Sequence, residues 1–173
     1  KCYTCEVNNL KLIIVSGLPG SGKSTISEAV AENLKLPLFS VDPIESSIIK
    51  SGIEKSFNTG LAAYLVVENL VAQQLDLGIS CIVDAVSSVK EAKDMWRSLS
   101  TKYDAKLVII ECVLDEEIHK KRVELRVRNM YGIPEVSWED VQKSREEYLP
   151  WAEQRLILDT ANTYSENIKK VLD

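Results

Sequence analysis

The chain lacks a basic excess: 21 lysines and arginines stand against 26 aspartates and glutamates, a net charge of −5. A duplex nucleic-acid binder ordinarily presents a basic face, so this balance speaks against one. Long apolar runs are missing too, since none approaches the roughly 18 to 20 residues that a membrane-spanning helix needs. Histidine occurs once, as His119. That scarcity bears on Cys2 and Cys5, whose C-x-x-C spacing is half of a zinc site. The other half would have to lie nearby, and the sole histidine is far along the chain. A loose N-terminal segment over 1–9 is expected instead. No secretory signal pattern precedes the first apolar run. No internal repeat, low-complexity tract or domain linker interrupts the sequence.

What is present is enough apolar material for a core, 45 % of 173 residues, which suits one domain. Cys81 and Cys112 sit inside apolar runs and read as buried, reduced thiols. That usage predicts a cytoplasmic protein. Strand and helix patterns alternate. Leu10–Ser16 is a continuous apolar run, the mark of a strand covered on both faces. A helix is expected over Ser24–Leu34 and a strand over Leu36–Val41, ending at Asp42-Pro43. Helical spacing follows at Ile44–Ser51 and Phe57–Leu77, then a strand at Ile79–Val83, a helix at Val89–Tyr103 and a strand at Lys106–Leu114. Two charged helices, Glu116–Met130 and Ser137–Tyr148, precede a short strand at Leu156–Leu158 and a last helix near Ser165–Leu172. This alternation predicts a mostly parallel sheet with helices on both faces.

Between the first strand and the first helix lies "GLPGSGKST", Gly17 to Thr25. It fits G-x-x-x-x-G-K-[ST] through Gly17, Gly22, Lys23 and Ser24, in the strand-to-helix setting that the motif requires. Glycines let successive backbone N–H groups turn inward as an anion cradle, and the helix start adds more N–H groups and a positive dipole end. Leu18, Pro19, Gly20, Ser21 and Thr25 complete the loop. Lys23 would offer a mobile charge to the β and γ phosphates of ATP, and the Ser24 hydroxyl a ligand to Mg²⁺. Asp84 ends an apolar strand and can hold the magnesium shell; as a plain helix cap it would instead serve Ser87 and Ser88. Glu111 is a second acid, lying within its run rather than at the end. Trp96, Trp138 and Trp151 fall on helical patterns and read as packing residues rather than base stackers.

With this loop, "FSVD", "GISCIVDA", "HKKRVELR" and "LILDTA" in order, the chain resembles the small P-loop kinases of the AAA_33 or zeta-toxin-like group, from about Lys11 to Leu172. The resemblance implies a three-layer αβα sandwich with a five-stranded parallel sheet in the order 2-3-1-4-5. It implies a single domain over 1–173 with a helical lid at about 116–150. It also implies transfer of the γ-phosphate of ATP to a hydroxyl of a small acceptor. Asp42 matches the aspartate that faces the acceptor hydroxyl in such kinases, though Asp42-Pro43 also reads as a helix cap. Arg122 and Arg126, four apart, match a lid R-x-x-x-R pattern that would put both on one helix face beside the phosphates; Lys120, Lys121 and Arg128 add to the cluster. Gly132 and Pro134 would bound the moving segment. Thr160, Ala161 and Asn162 match a loop that passes under the adenine.

One departure stands out. Many members carry arginine three residues after the acceptor aspartate, and here that residue is Glu45. A neutral or cationic small acceptor is therefore expected, and a nucleic acid is not. Two other readings are a nucleoside, nucleotide or polynucleotide 5′-hydroxyl kinase, and an ATP-binding switch that hydrolyses slowly and signals by lid closure.

Overall fold

A computed structural model describes residues 10–172; Cys2, Cys5 and the rest of the N-terminal segment lie outside the described residues. The first strand, β1 (Lys11–Ser16), feeds helix α1 (Lys23–Leu34) through the glycine loop. Then come β2 (Leu38–Ser40), α2 (Val41–Lys50), α3 (Phe57–Asp76), β3 (Cys81–Asp84) and α4 (Lys90–Lys102). The chain closes with β4 (Lys106–Val113), α5 (Glu116–Leu125), α6 (Trp138–Glu147), β5 (Leu156–Asp159) and α7 (Tyr164–Leu172).

The strands form one parallel sheet in the order β2-β3-β1-β4-β5, as the resemblance implied. Alternation along β1 explains the layers. Leu12 and Ile14 point to a core shared with Val67 and Val71 of α3 and Trp96 of α4. Ile13 and Val15 point the other way, onto Ile26 and Val30 of α1 and Ile168 of α7. Each such fully buried branched side chain contributes about 1.5 to 3 kcal/mol of transfer free energy. Cys81 and Cys112 are buried free thiols. Among the described residues no helix is long and apolar enough to cross a membrane.

Two element ends differ from expectation, and both matter for the site. Strand β2 stops at Ser40, and α2 begins at Val41. Pro43 suits the first helical turn, where its missing N–H costs nothing. Asp42 therefore sits in that first turn; Ser40 occupies the cap position, so the cap reading of Asp42 is not borne out. Helix α5 ends at Leu125 rather than near Met130, and Arg126 is already extended, at φ −76° and ψ 135°. Its N-terminus is capped by Asp115, which accepts from the N–H groups of Glu117 (3.0 Å) and Ile118 (3.3 Å). Helix α6 opens on a capping box: Asp140 N donates to Ser137 Oγ (3.2 Å) and Ser137 N to Asp140 Oδ2 (3.0 Å).

Candidate active site

Parallel register brings the chemistry to one edge. Asp84 pairs laterally with Val15 of β1 and Ser40 of β2, so the glycine loop, Asp84 and the start of α2 share the carboxyl end of the sheet. Open α/β sheets bind ligands there. The loop needs its glycines at defined points. Gly17 has φ +139°, and a Cβ on it would stand 2.4 Å from the carbonyl oxygen of Cys112. Gly22 has φ +91° and lies close under Arg122 and Thr160.

A cavity of about 520 Å³ opens above the loop. Pro19, Gly20, Gly22, Lys23, Ser24 and Thr25 of the loop and helix start line it together with Asp84 and Asp42. Arg122, Arg126 and Arg128 overhang it, while Thr160 and Asn162 stand at one end. Gly17, Leu18 and Ser21 do not face this cavity; they line a second one of about 420 Å³ behind the loop. The Ser21 hydroxyl is buried there without a hydrogen-bond partner among the described residues.

Lys23 is buried rather than solvent-facing, with its Nζ donating to the Leu18 carbonyl at 3.0 Å. Burial pushes its ammonium below the ordinary lysine value, and the Asp84 and Asp42 carboxylates offset part of that. Burial likewise pushes the Asp84 carboxyl up, against the pull of Lys23 and the Ser24 hydroxyl. Glu111 is committed elsewhere: it pairs with Arg155 and accepts from the Tyr148 hydroxyl at 2.8 Å. Of the two strand acids, Asp84 is thus the one that faces the cavity, together with Asp42 from α2. Among the described residues no cluster of three or more histidine, cysteine or acidic side chains exists. A cation here would therefore take Ser24 and Asp84 from the protein and the rest of its shell from phosphate and water, as magnesium commonly does.

Arg122 donates to Thr160, through Nη1 to Oγ1 and Nη2 to the carbonyl, both at 3.1 Å. Arg126 does not share its helix face, because α5 has already ended. Its side chain lines the cavity half-buried, and its guanidinium makes no hydrogen bond or ion pair among the described residues. Burial and the neighbouring Arg128 push its guanidinium below the usual value. Arg128, which the R-x-x-x-R spacing passes over, donates through Nη1 to Asp42 Oδ2 at 2.7 Å. The backbone N–H of Arg128 donates to Glu135 at 2.6 Å, which fixes this extended stretch. Its tip rests on α2: Ser46 Oγ donates to the Tyr131 carbonyl at 2.8 Å, and Gly132 packs against Ile49. Asn162 N already donates to the Asp159 carbonyl at 3.2 Å, so only its side chain and carbonyl remain free toward the cavity.

Two findings lay outside the sequence reading. Glu45 turns away from the cavity and accepts from Thr59 Oγ1 at 2.8 Å, so it does not set the charge met by an acceptor. His119 is buried under the loop with Nε2 donating to the Pro19 carbonyl at 2.8 Å, and its ring meets Trp138 edge-on at 5.5 Å. Nothing in local spacing marks that contact, since the partners are a hundred residues apart.

The AAA_33 family model, an AAA domain, matches residues 12–151. A protein of Chloroflexus aurantiacus assigned as a kinase has the same architecture, with a TM-score of 0.77 and 26 % identity over 95 % of this chain and 94 % of that one. A gluconokinase from Sinorhizobium meliloti shares the fold, with a TM-score of 0.67 and 18 % identity over 95 % of this chain and 90 % of its own. A UPF0200 protein from Aeropyrum pernix is 32 % identical over 100 residues, covering 52 % of this chain and 54 % of that protein. The chain thus spans about half the length of this curated relative. It belongs to the AAA_33 family and has the fold of the small P-loop kinases that it resembles.

Proposed function

We propose that this chain is an ATP- and Mg²⁺-dependent phosphotransferase that moves the γ-phosphoryl group to a hydroxyl of a small acceptor. One observation carries the reading: a single cavity is walled by the inner face of the loop, Lys23, Asp84, Asp42 and three arginines. The loop N–H groups and Lys23 bind the phosphates. Ser24 and Asp84 would hold magnesium, which would supply positive charge against the transferring group. Arg122 and Arg126 neutralise charge that develops on the equatorial oxygens. Asp42 orients the acceptor hydroxyl and takes its proton as the new P–O bond forms and the bond to ADP breaks. Residues 116–150 act as a lid that excludes water, within a single domain.

The protein of Chloroflexus aurantiacus assigned as a kinase supports phosphoryl transfer, and the gluconokinase of Sinorhizobium meliloti supports a small acceptor. The acidic net charge argues against a nucleic-acid end. Acceptor charge is left to Asp42, Arg126 and Arg128, now that Glu45 faces α3. The test is γ-labelled ATP with a panel of small alcohols, sugars, hydroxy acids and nucleosides. A labelled acceptor is expected. Release of phosphate alone across the panel, with a protein partner captured only in the nucleotide-bound state, would establish the switch instead.

A further inference from the structure

Lys93 is a lysine where a core residue belongs. It lies in α4 and is 2 % exposed. No carboxylate pairs with it among the described residues. Its Nζ donates instead to two backbone carbonyls, those of Ser87 and of Ser88, the latter at 3.2 Å. The ammonium also lies 4.9 Å from the ring centre of Tyr148 and 5.1 Å from that of Trp151. A buried charge held only by carbonyl oxygens and aromatic faces is expensive to desolvate, and an apolar residue of the same length would avoid that cost. What it joins gives it a use.

Residues 85–88 follow Asp84 directly, and every link in that stretch is fastened. Ala85 N donates to the Val15 carbonyl, and Ser16 Oγ to the Val86 carbonyl at 2.7 Å. Ser87, held at φ +49°, donates its N–H to Tyr64 Oη and accepts from Trp96 Nε1 at 3.1 Å. Residues 148–151 follow α6 and form the root of the segment read above as a lid. Leu149 N donates to the Ser88 carbonyl at 3.1 Å, and the Tyr148 hydroxyl meets Ser16 Oγ at 3.0 Å. Lys93 touches both stretches at once.

We propose that Lys93 is a positioning residue that couples the lid root to the loop carrying Asp84, so that lid position and the aim of the metal-facing carboxylate change together. The inference builds on the kinase reading. The Lys93 charge acts through the 85–88 carbonyls and never meets nucleotide. Outer-shell partners of metal-facing groups typically change metal affinity by about 10- to 100-fold when removed.

The experiment uses the full chain, ATP and Mg²⁺. Lys93→Met keeps length and removes the charge. ATP affinity without magnesium is expected to stay within about twofold, while the magnesium concentration that half-maximally tightens ATP rises by about 10-fold or more. Lys93→Arg, which keeps a cation against the aromatic faces, should restore part of that loss. An unchanged magnesium dependence in folded Lys93→Met would overturn the proposal and leave the kinase reading standing. A wild-type protein that ignores Mg-ATP would overturn both. Should Lys93→Met fail to fold, hydrogen exchange on the wild type decides. The amides of 85–88 and 148–151 should open with one common free energy and gain protection together on Mg-ATP. Independent opening of the two stretches would refute the coupling.

Discussion

Arg128 holds Asp42 through a 2.7 Å hydrogen bond that ties the stretch after α5 to the first turn of α2. The pair is a gate on the proposed base, since a hydroxyl must share or replace the guanidinium at that carboxylate. Asp42 is half exposed, so the pair itself is worth only about 0 to 1 kcal/mol. Because Asp42 is not the helix cap, Asp42→Asn and Asp42→Ala should melt within a degree or two of each other. Both should bind ATP normally and lose about 10²- to 10⁴-fold in turnover. Transfer assays beside thermal melts check this, and a fully active Asn variant would remove Asp42 from the chemistry.

Lys23→Ala should abolish most of the rise in melting temperature that Mg-ATP produces by mass action. Without nucleotide the variant should stay folded, because losing a desolvated ammonium and leaving the buried Asp84 carboxylate without it act in opposite directions. Differential scanning fluorimetry with and without Mg-ATP measures both halves. A full ATP shift in the variant would argue that the loop does not bind phosphate.

Arg126→Met should leave the resting protein folded and no less stable, since the guanidinium forms no ion pair among the described residues and is disfavoured by burial and by Arg128. Turnover should fall by about 10²- to 10³-fold with little change in ATP affinity, as for loss of one donor to a developing oxyanion. Arg122→Met should behave differently and lower the melting temperature as well, because Arg122 clamps Thr160. Equal melting losses in the two variants would contradict the geometry.

His119 gives the pH prediction. Burial holds its pKa below 6.5, against the pull of the Pro19 carbonyl. The unfolded chain then binds more protons than the native state as pH falls through 6.5 toward the lowered native value. Stability is present above that window and lost on acidification through it. His119→Gln should flatten this slope, and His119 is the sole histidine in the sequence. Urea melts at several pH values read it. A native titration at or above 6.5 by NMR would reverse the sign.

Much of this was legible in the sequence for physical reasons. The apolar run before Gly17 requires two covered faces, which forces a parallel sheet, and the glycine loop can serve only a helix that starts at once. Asp84 could be placed because its strand ends with it. The end of α5 could not be read, since no glycine or proline follows Leu125 until Gly132. The turn outward is fixed by tertiary bonds, Arg128 to Asp42 and Glu135 to two backbone N–H groups. The same holds for Glu45, whose direction is decided by Thr59 on another helix, and for Lys93, whose spacing on α4 says nothing of the carbonyls that receive it.

Gly132 shows how surface position can mislead about tolerance to change. It is exposed and lies in a stretch without regular structure, where substitution ordinarily costs little. Yet its φ is +68°, and an added Cβ would come 2.3 Å from Ile49 Cγ2. Any larger residue must both strain the backbone and push α2 aside, and α2 carries Asp42 at its other end. A position that solvent exposure marks as free to drift is therefore held to one amino acid by the helix beneath it.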